Sequence, residues 1–167
     1  MYKQQLLSNI EKEIKICRRL YTKIQPGQLD YRPKEGIRSI LELLQYLSII
    51  GSTMLSYWLK NDDTDFNTFF GANAAKASAM QPEQFLTAMD EQMVLIKNLF
   101  DKISEEDLLN REITYPWGGQ EPLGQAIIAT SIKWLAAYKL QLLLFIKLSG
   151  SEKLGTADAW VLTELTS

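Results

Sequence analysis

The sequence predicts an all-α protein, a four-helix bundle with one long crossover connection, folded as a single domain over residues 1–167. Three observations carry this. Four segments place apolar residues at the three-and-four spacing of an α-helix, and none alternates with the period of two that marks a strand. No repeat or linker divides the 167 residues, and 46% hydrophobic with 23% charged residues is the balance of a folded globular domain. A chain of this length buries roughly 70% of its unfolded surface, enough to need no disulfide or metal.

The first helix is expected over residues 2–25, where Ile10, Ile14, Cys17, Tyr21 and Ile24 form one stripe and Pro26-Gly27 ends it. The second is expected over 39–60. Ser39-Ile40-Leu41-Glu42 reads as a capping box, in which the serine hydroxyl and the glutamate carboxylate satisfy each other's orphan N–H groups. Its stripe is Ile40, Leu43, Leu44, Leu47, Ile50, Met54 and Trp58, and Asn61-Asp62-Asp63 stops it. Residues 61–80, polar and Ala-rich, read as the crossover, a loop with a short helical turn near 65–70. Pro82 suits a first helical position and opens the third helix, 82–103, with Phe85, Met89, Met93, Ile96 and Phe100 inward. Ser104 to Asp107 looks like a second capping box on a single turn, and residues 111–120 are the one extended region, turning at Gly118-Gly119. The fourth helix, 122–149, starts at Pro122 and is capped by Gly150. The tail from Ser151 is expected to dock through Trp160, Val161 and Leu165.

Composition excludes several function classes. The chain has no histidine, which rules out Ser-His-Asp and Cys-His catalysis, His-ligated metals and a histidine pH switch. A net charge of −2 gives no electrostatic case for nucleic acid or anionic lipid. Cys17 is alone, so no intrachain disulfide can form, and its place on the apolar stripe marks it as a small buried hydrophobe. The N-terminus has charges throughout and does not resemble a signal peptide. The most apolar stretch, 134–148, is interrupted by Lys139 and Lys147 and falls short of a membrane span. A cytoplasmic location is therefore expected. Residues 1–38 hold nine Lys/Arg against four Asp/Glu, whereas residues 61–131 hold four against twelve, a polarity that complementary helices in one bundle accommodate.

Gln28-Leu29-Asp30-Tyr31-Arg32-Pro33, followed by Gly36-Ile37-Arg38 and the Ser39-capped helix, resembles the opening of the DinB/YfiT-like superfamily of bacterial four-helix-bundle proteins. Trp134-Leu135-Ala136-Ala137-Tyr138-Lys139-Leu140-Gln141 is similar to that family's fourth-helix His-x-x-x-His-x-x-Gln, and Phe145-Ile146-Lys147-Leu148-Ser149-Gly150 to the run that follows it. The resemblance implies the fold, and in metal-dependent relatives a zinc or nickel ion held by one histidine on helix two and two on helix four. Those positions here are Tyr46, Trp134 and Tyr138. None offers an imidazole nitrogen and a neutral tyrosine is a poor ligand for such ions, so no metal and no cofactor are expected.

At about 100° per residue, Ile127, Trp134, Tyr138, Gln141 and Phe145 share one face of helix four, taken as its inward face. Three readings of the former ligand positions follow: the aromatic side chains fill the old metal cavity, they line a ligand pocket, or, least favoured, they hold an unusual metal. The candidate pocket is Tyr46, Trp134, Tyr138 and Gln141 between helices two and four, with Trp117 over the open end and Arg38 as the cation for an acidic ligand. Other candidates are weaker. Glu105-Glu106-Asp107 sit where acids belong at a helical start, Asp90-Glu91 lack an inward partner, and Trp117-Gly118-Gly119 lacks the spacing of a phosphate loop.

The leading functional expectation is thus a metal-free, ligand-binding protein of this type. The alternatives are a thiol transferase or hydrolase relative with an unrecognised catalytic site, and a non-catalytic homodimeric interaction module. Leu140, Leu143, Leu144 and Leu148 form a second apolar stripe on helix four, and a homodimer through it is expected, with no nucleic-acid or membrane partner.

Overall fold

Four long helices close into a ring in which each touches two neighbours. The computed structural model describes residues 1–162. Helix α1 is Tyr2–Tyr21, α2 Ile40–Leu59, α3 Phe66–Ser78, α4 Phe85–Asp101 and α5 Glu105–Asn110. A two-stranded antiparallel hairpin follows, β1 Glu112–Thr114 and β2 Gln120–Pro122, with Ile113 opposite Glu121. Helix α6 (Leu123–Ile127), a π-turn (Ile128–Ile132) and α7 (Lys133–Leu148) make one continuous rod. Around the bundle, α1 packs on α4 and α7, and α2 packs on the same two. Helices α1 and α2 are therefore diagonal, and the 22–39 loop crosses the end of the bundle to join them.

The local signals act as the sequence predicts at several ends. The Glu42 N–H donates to Ser39 Oγ at 3.2 Å and the Ser39 N–H to Glu42 Oε2 at 2.7 Å, closing the capping box of α2. Ser104 and Asp107 close the second box. Gly118 and Gly119, at φ 97° and 94°, turn the hairpin through the left-handed region that only glycine enters freely. The core of α2 is the expected stripe from Ile40 through Leu43, Leu44, Leu47 and Ile50 to Met54, whereas Trp58, expected to continue it, is half-buried.

Three expectations are corrected. Helix one stops at Tyr21, because the N–H groups of Thr22, Lys23 and Ile24 bond back to the carbonyls of Arg19, Leu20 and Tyr21 in a tightened last turn. Residues 82–84 form a separate 3₁₀ turn before α4. The crossover is not a loop. Asp65 caps its start by accepting the Thr68 N–H at 3.1 Å, and alanine, the best helix former, carries α3 on to Ser78. This added helix leans on α2, with Tyr57 of α2 against its Phe66 and Phe69 at 5.2 and 5.7 Å.

The fourth helix differs most. Its buried stripe is Leu135, Lys139, Leu142 and Ile146, one residue on from the expected Trp134, Tyr138, Gln141 and Phe145. Of those four only Phe145 is buried, and the other three are half-buried. Lys139 is fully buried, 2.5 Å from Glu13 on the inner stripe of α1. Leu143 belongs to the core and not to the surface stripe, which leaves half-buried Leu140 with exposed Leu144 and Leu148. The whole rod, Leu123–Leu148, spans 26 residues and is long and apolar enough by length and composition to cross a membrane, where the sequence suggested only 134–148. Here it packs against α1 and α2 as a bundle helix.

The C-terminal segment is strapped across α1 and α7. Arg19 donates to the backbone carbonyls of Ala157, Asp158 and Val161, and the Trp160 ring lies 4.3 Å from Lys139 Nζ. Leu165, also expected to dock, lies outside the described residues.

Candidate functional site

The 22–39 loop is stitched to the first turn of α2. The N–H groups of Ile40 and Leu41 donate to the carbonyls of Tyr31 and Leu29 at 3.0 and 2.9 Å. Gln28 reaches across to Ser151 beyond α7, its Nε2 3.1 Å from Ser151 Oγ. Arg32 donates to the Ile37 carbonyl at 3.0 Å and pairs with Glu42 at 3.3 Å. The Leu-Asp-Tyr-Arg-Pro segment therefore builds a rigid shelf over the start of α2, and Arg38 sits at its edge.

From that edge the Arg38 guanidinium lies over the Tyr46 ring, 4.1 Å from its centroid, and 5.8 Å from that of Tyr138. The two tyrosine rings meet edge to face at 4.9 Å. Burial, and then the neighbouring Tyr138 hydroxyl, push the Tyr46 phenol up to about 12, against a smaller opposing pull from Arg38. Tyr46 is consequently a hydroxyl donor at neutral pH and not a base. A cavity of about 420 Å³ opens beside this group, between α2, α3 and the shelf. Its polar end is Arg32, Arg38, Glu42 and Gln45; its apolar wall is Ile49, Phe70, Ala74 and Ala77. Glu42 is committed to the Ser39 N–H and to Arg32, which together hold its carboxyl below the usual range.

A second aromatic group gathers towards the hairpin. Trp117, mostly exposed, stacks on Tyr115 at 4.9 Å and approaches Trp134 at 6.0 Å and Phe66 at 6.5 Å. Trp58 Nε1–H donates to the Thr114 carbonyl at 3.3 Å and fixes the hairpin on α2. Burial and a bond to Glu121 push the Tyr115 phenol up to about 12. Trp134 and Tyr138 are one turn apart on α7, so the two groups are joined along one helix face.

Five of the six expected residues are thus brought together in two clusters, Arg38 with Tyr46 and Tyr138, and Trp117 with Trp134. Gln141, half-buried a turn beyond Tyr138, lines neither cavity described here. The open volume does not lie between α2 and α7, where Tyr46 and Tyr138 touch, but on the other flank of Tyr46 under α3. Arg32, Gln45, Phe70, Ala74 and Ala77 were missed. The legible signal was Asp65 before an alanine-rich run, a capped helix. A larger cavity, about 640 Å³, lies beyond Ala77 between α2, α3 and α4, but carries no aromatic side chain and no arginine.

Cys17 is buried, and desolvation followed by Glu13 pushes its thiol up to about 12, so it is no nucleophile. Among the described residues no group of three or more His, Cys, Asp or Glu could hold a metal ion.

No family model matches the sequence, and no curated protein does. Among solved structures, the chain is similar to a protein from Exiguobacterium sibiricum 255-15 assigned to the DinB family. The TM-score is 0.67 at 23% identity, over 89% of this chain and 92% of that one. The fold is DinB-like. In this DinB-like bundle the α2 and α7 positions that the resemblance gives to metal ligands hold two phenols in ring contact, beneath a guanidinium. Phenols beneath a guanidinium, and an indole that offers no lone pair, do not fit a divalent cation.

Proposed function

We propose that this is a metal-free DinB-like protein that binds a small molecule in the cavity beside Tyr46. The observation that carries the reading is the Arg38–Tyr46 pair at the mouth of a cavity of about 420 Å³ whose far wall is apolar. That volume lies within the ordinary range for small-molecule sites, and a few fixed polar groups on an apolar lining is their usual make-up. Binding is favoured over catalysis because Tyr46 keeps its proton, Cys17 is sealed, Glu42 is engaged, and no histidine exists to act as a base.

A thermal-shift screen of small aromatic and aliphatic compounds tests this, since a ligand that binds only the folded chain raises its melting temperature. Ala74→Trp, which places an indole in the cavity, should abolish the shifts while leaving the helical circular dichroism unchanged. Hits that persist in Ala74→Trp would move the site elsewhere and refute this assignment.

A further inference from the structure

We infer that Arg38 is a carboxylate receptor, and that the ligands of this site are small organic monoacids with an aromatic or apolar body. The inference rests on the binding reading above and adds the ligand class. Arg38 and Arg32 are six residues apart on the same shelf, yet their situations differ. Arg32 is spent on Glu42 and the Ile37 carbonyl. Arg38 has no carboxylate and no hydrogen-bond partner among the described residues; its only close neighbours of note are two aromatic faces. The guanidinium rests over the Tyr46 ring with no acceptor on its N–H groups among the described residues, which leaves its fork open. That fork matches the two oxygens of a carboxylate.

The surroundings favour the same ligand. Two arginines against one carboxylate line the cavity, and that carboxylate is already paired, so one positive charge is left uncompensated at the mouth. One free guanidinium balances a monoanion and would leave a dianionic phosphate half-neutralised. Behind it the wall is Ile49, Phe70, Ala74 and Ala77, with the Ser78 hydroxyl at its margin already donated to the Ala75 carbonyl, so the acid group belongs at the arginine end. Tyr46 holds the guanidinium at the mouth in the absence of ligand, which lowers the ordering cost when an acid arrives.

The experiment is a calorimetric and ¹⁵N-edited NMR titration with naphthalene-1-acetate, its neutral primary amide, and inorganic phosphate. The acid should bind at least about tenfold tighter than the amide, as a charge-assisted fork does, and phosphate should not compete. Arg38→Gln should erase the difference by weakening the acid far more than the amide. Arg38→Lys, which keeps the charge without the fork, should restore only part of it. Arg38 is exposed, so the variants are expected to fold, and unchanged backbone spectra check this. Equal affinities for acid and amide in the wild type overturn the carboxylate inference and leave the cavity reading standing. An acid preference that survives Arg38→Gln overturns it too, in favour of Arg32. Failure of all probes to perturb the cavity residues overturns both readings.

Discussion

Removing Glu13 should damage this protein more than removing almost any other surface-connected side chain. Lys139 is fully buried between α1 and α7, with Glu13 2.5 Å away and the Trp160 ring 4.3 Å away. In Glu13→Leu the ammonium keeps only the ring, and an uncompensated buried charge costs about 3–5 kcal/mol. The ring offsets a part of that, on the order of 1–2 kcal/mol for a cation–π contact, so a net loss of about 1–4 kcal/mol is expected. Lys139→Met should cost less. The Glu13 side chain keeps 17% of its exposure, so its carboxylate can turn towards water. The double variant Glu13→Leu/Lys139→Met should lie within about 1 kcal/mol of wild type, because apolar replacement of a whole buried pair is often neutral or stabilising. Urea unfolding of the four proteins gives the cycle, with a coupling energy of at least about 2 kcal/mol expected between neighbours of this kind. A loss below about 1 kcal/mol in Glu13→Leu would refute the reasoning. It would mean that Lys139 escapes to solvent and that the strap carrying Trp160 does not seal the pair.

Other expected outcomes follow from packing, surface and charge. A Cβ on Gly124 would stand 2.7 Å from the Leu108 carbonyl oxygen, so Gly124→Ala should lose about 1–3 kcal/mol. Gly71, inside α3 with open space around it, should gain about 0.5–1 kcal/mol as alanine, and thermal unfolding separates the two signs. With Leu143 in the core, self-association through α7 rests on Leu144 and Leu148, 49% and 63% exposed. Light scattering should give twice the 19.1 kDa of one chain, and Leu144→Glu should halve it; a wild-type mass of one chain refutes the dimer. The folded-state Glu42 carboxyl is held low, first by the Ser39 N–H and then by Arg32. Its contribution is therefore present above the unfolded-state carboxylate range and lost as pH falls through the folded value. Ser39→Ala should cost about 1 kcal/mol at neutral pH, and Glu42→Gln should flatten the acid limb of the stability–pH curve below about pH 4.

How much was legible in the sequence is clearest on the fourth helix. Capping boxes and glycine turns are local: Ser39, Ser104 and Gly118-Gly119 act through neighbours within a few residues, so their sequence signals transfer directly to the fold. The inward face of a helix is set by the partner helix. On α7, Lys139 made the true stripe of Leu135, Leu142 and Ile146 look interrupted, and the aromatic stripe one residue earlier looked cleaner. Glu13, 126 residues away in sequence, makes a buried lysine tolerable, and that pairing has no local signature. The same rotation moved Leu143 out of the surface patch and left Trp134 and Tyr138 half-buried at the edge of the site. At the site itself, Arg38 and Tyr46 could be read together because Arg38 directly precedes the Ser39 cap and Tyr46 lies in the second turn of the helix it opens. The opposite wall was not, because an alanine-rich helix with little amphipathic contrast carries almost no periodic signal. Its packing follows from Tyr57, Phe66 and Phe69 meeting in space. Two aromatic residues on α3 and one on α2 therefore decide whether a cavity exists beside Tyr46, and the arginine at its mouth decides what that cavity can hold.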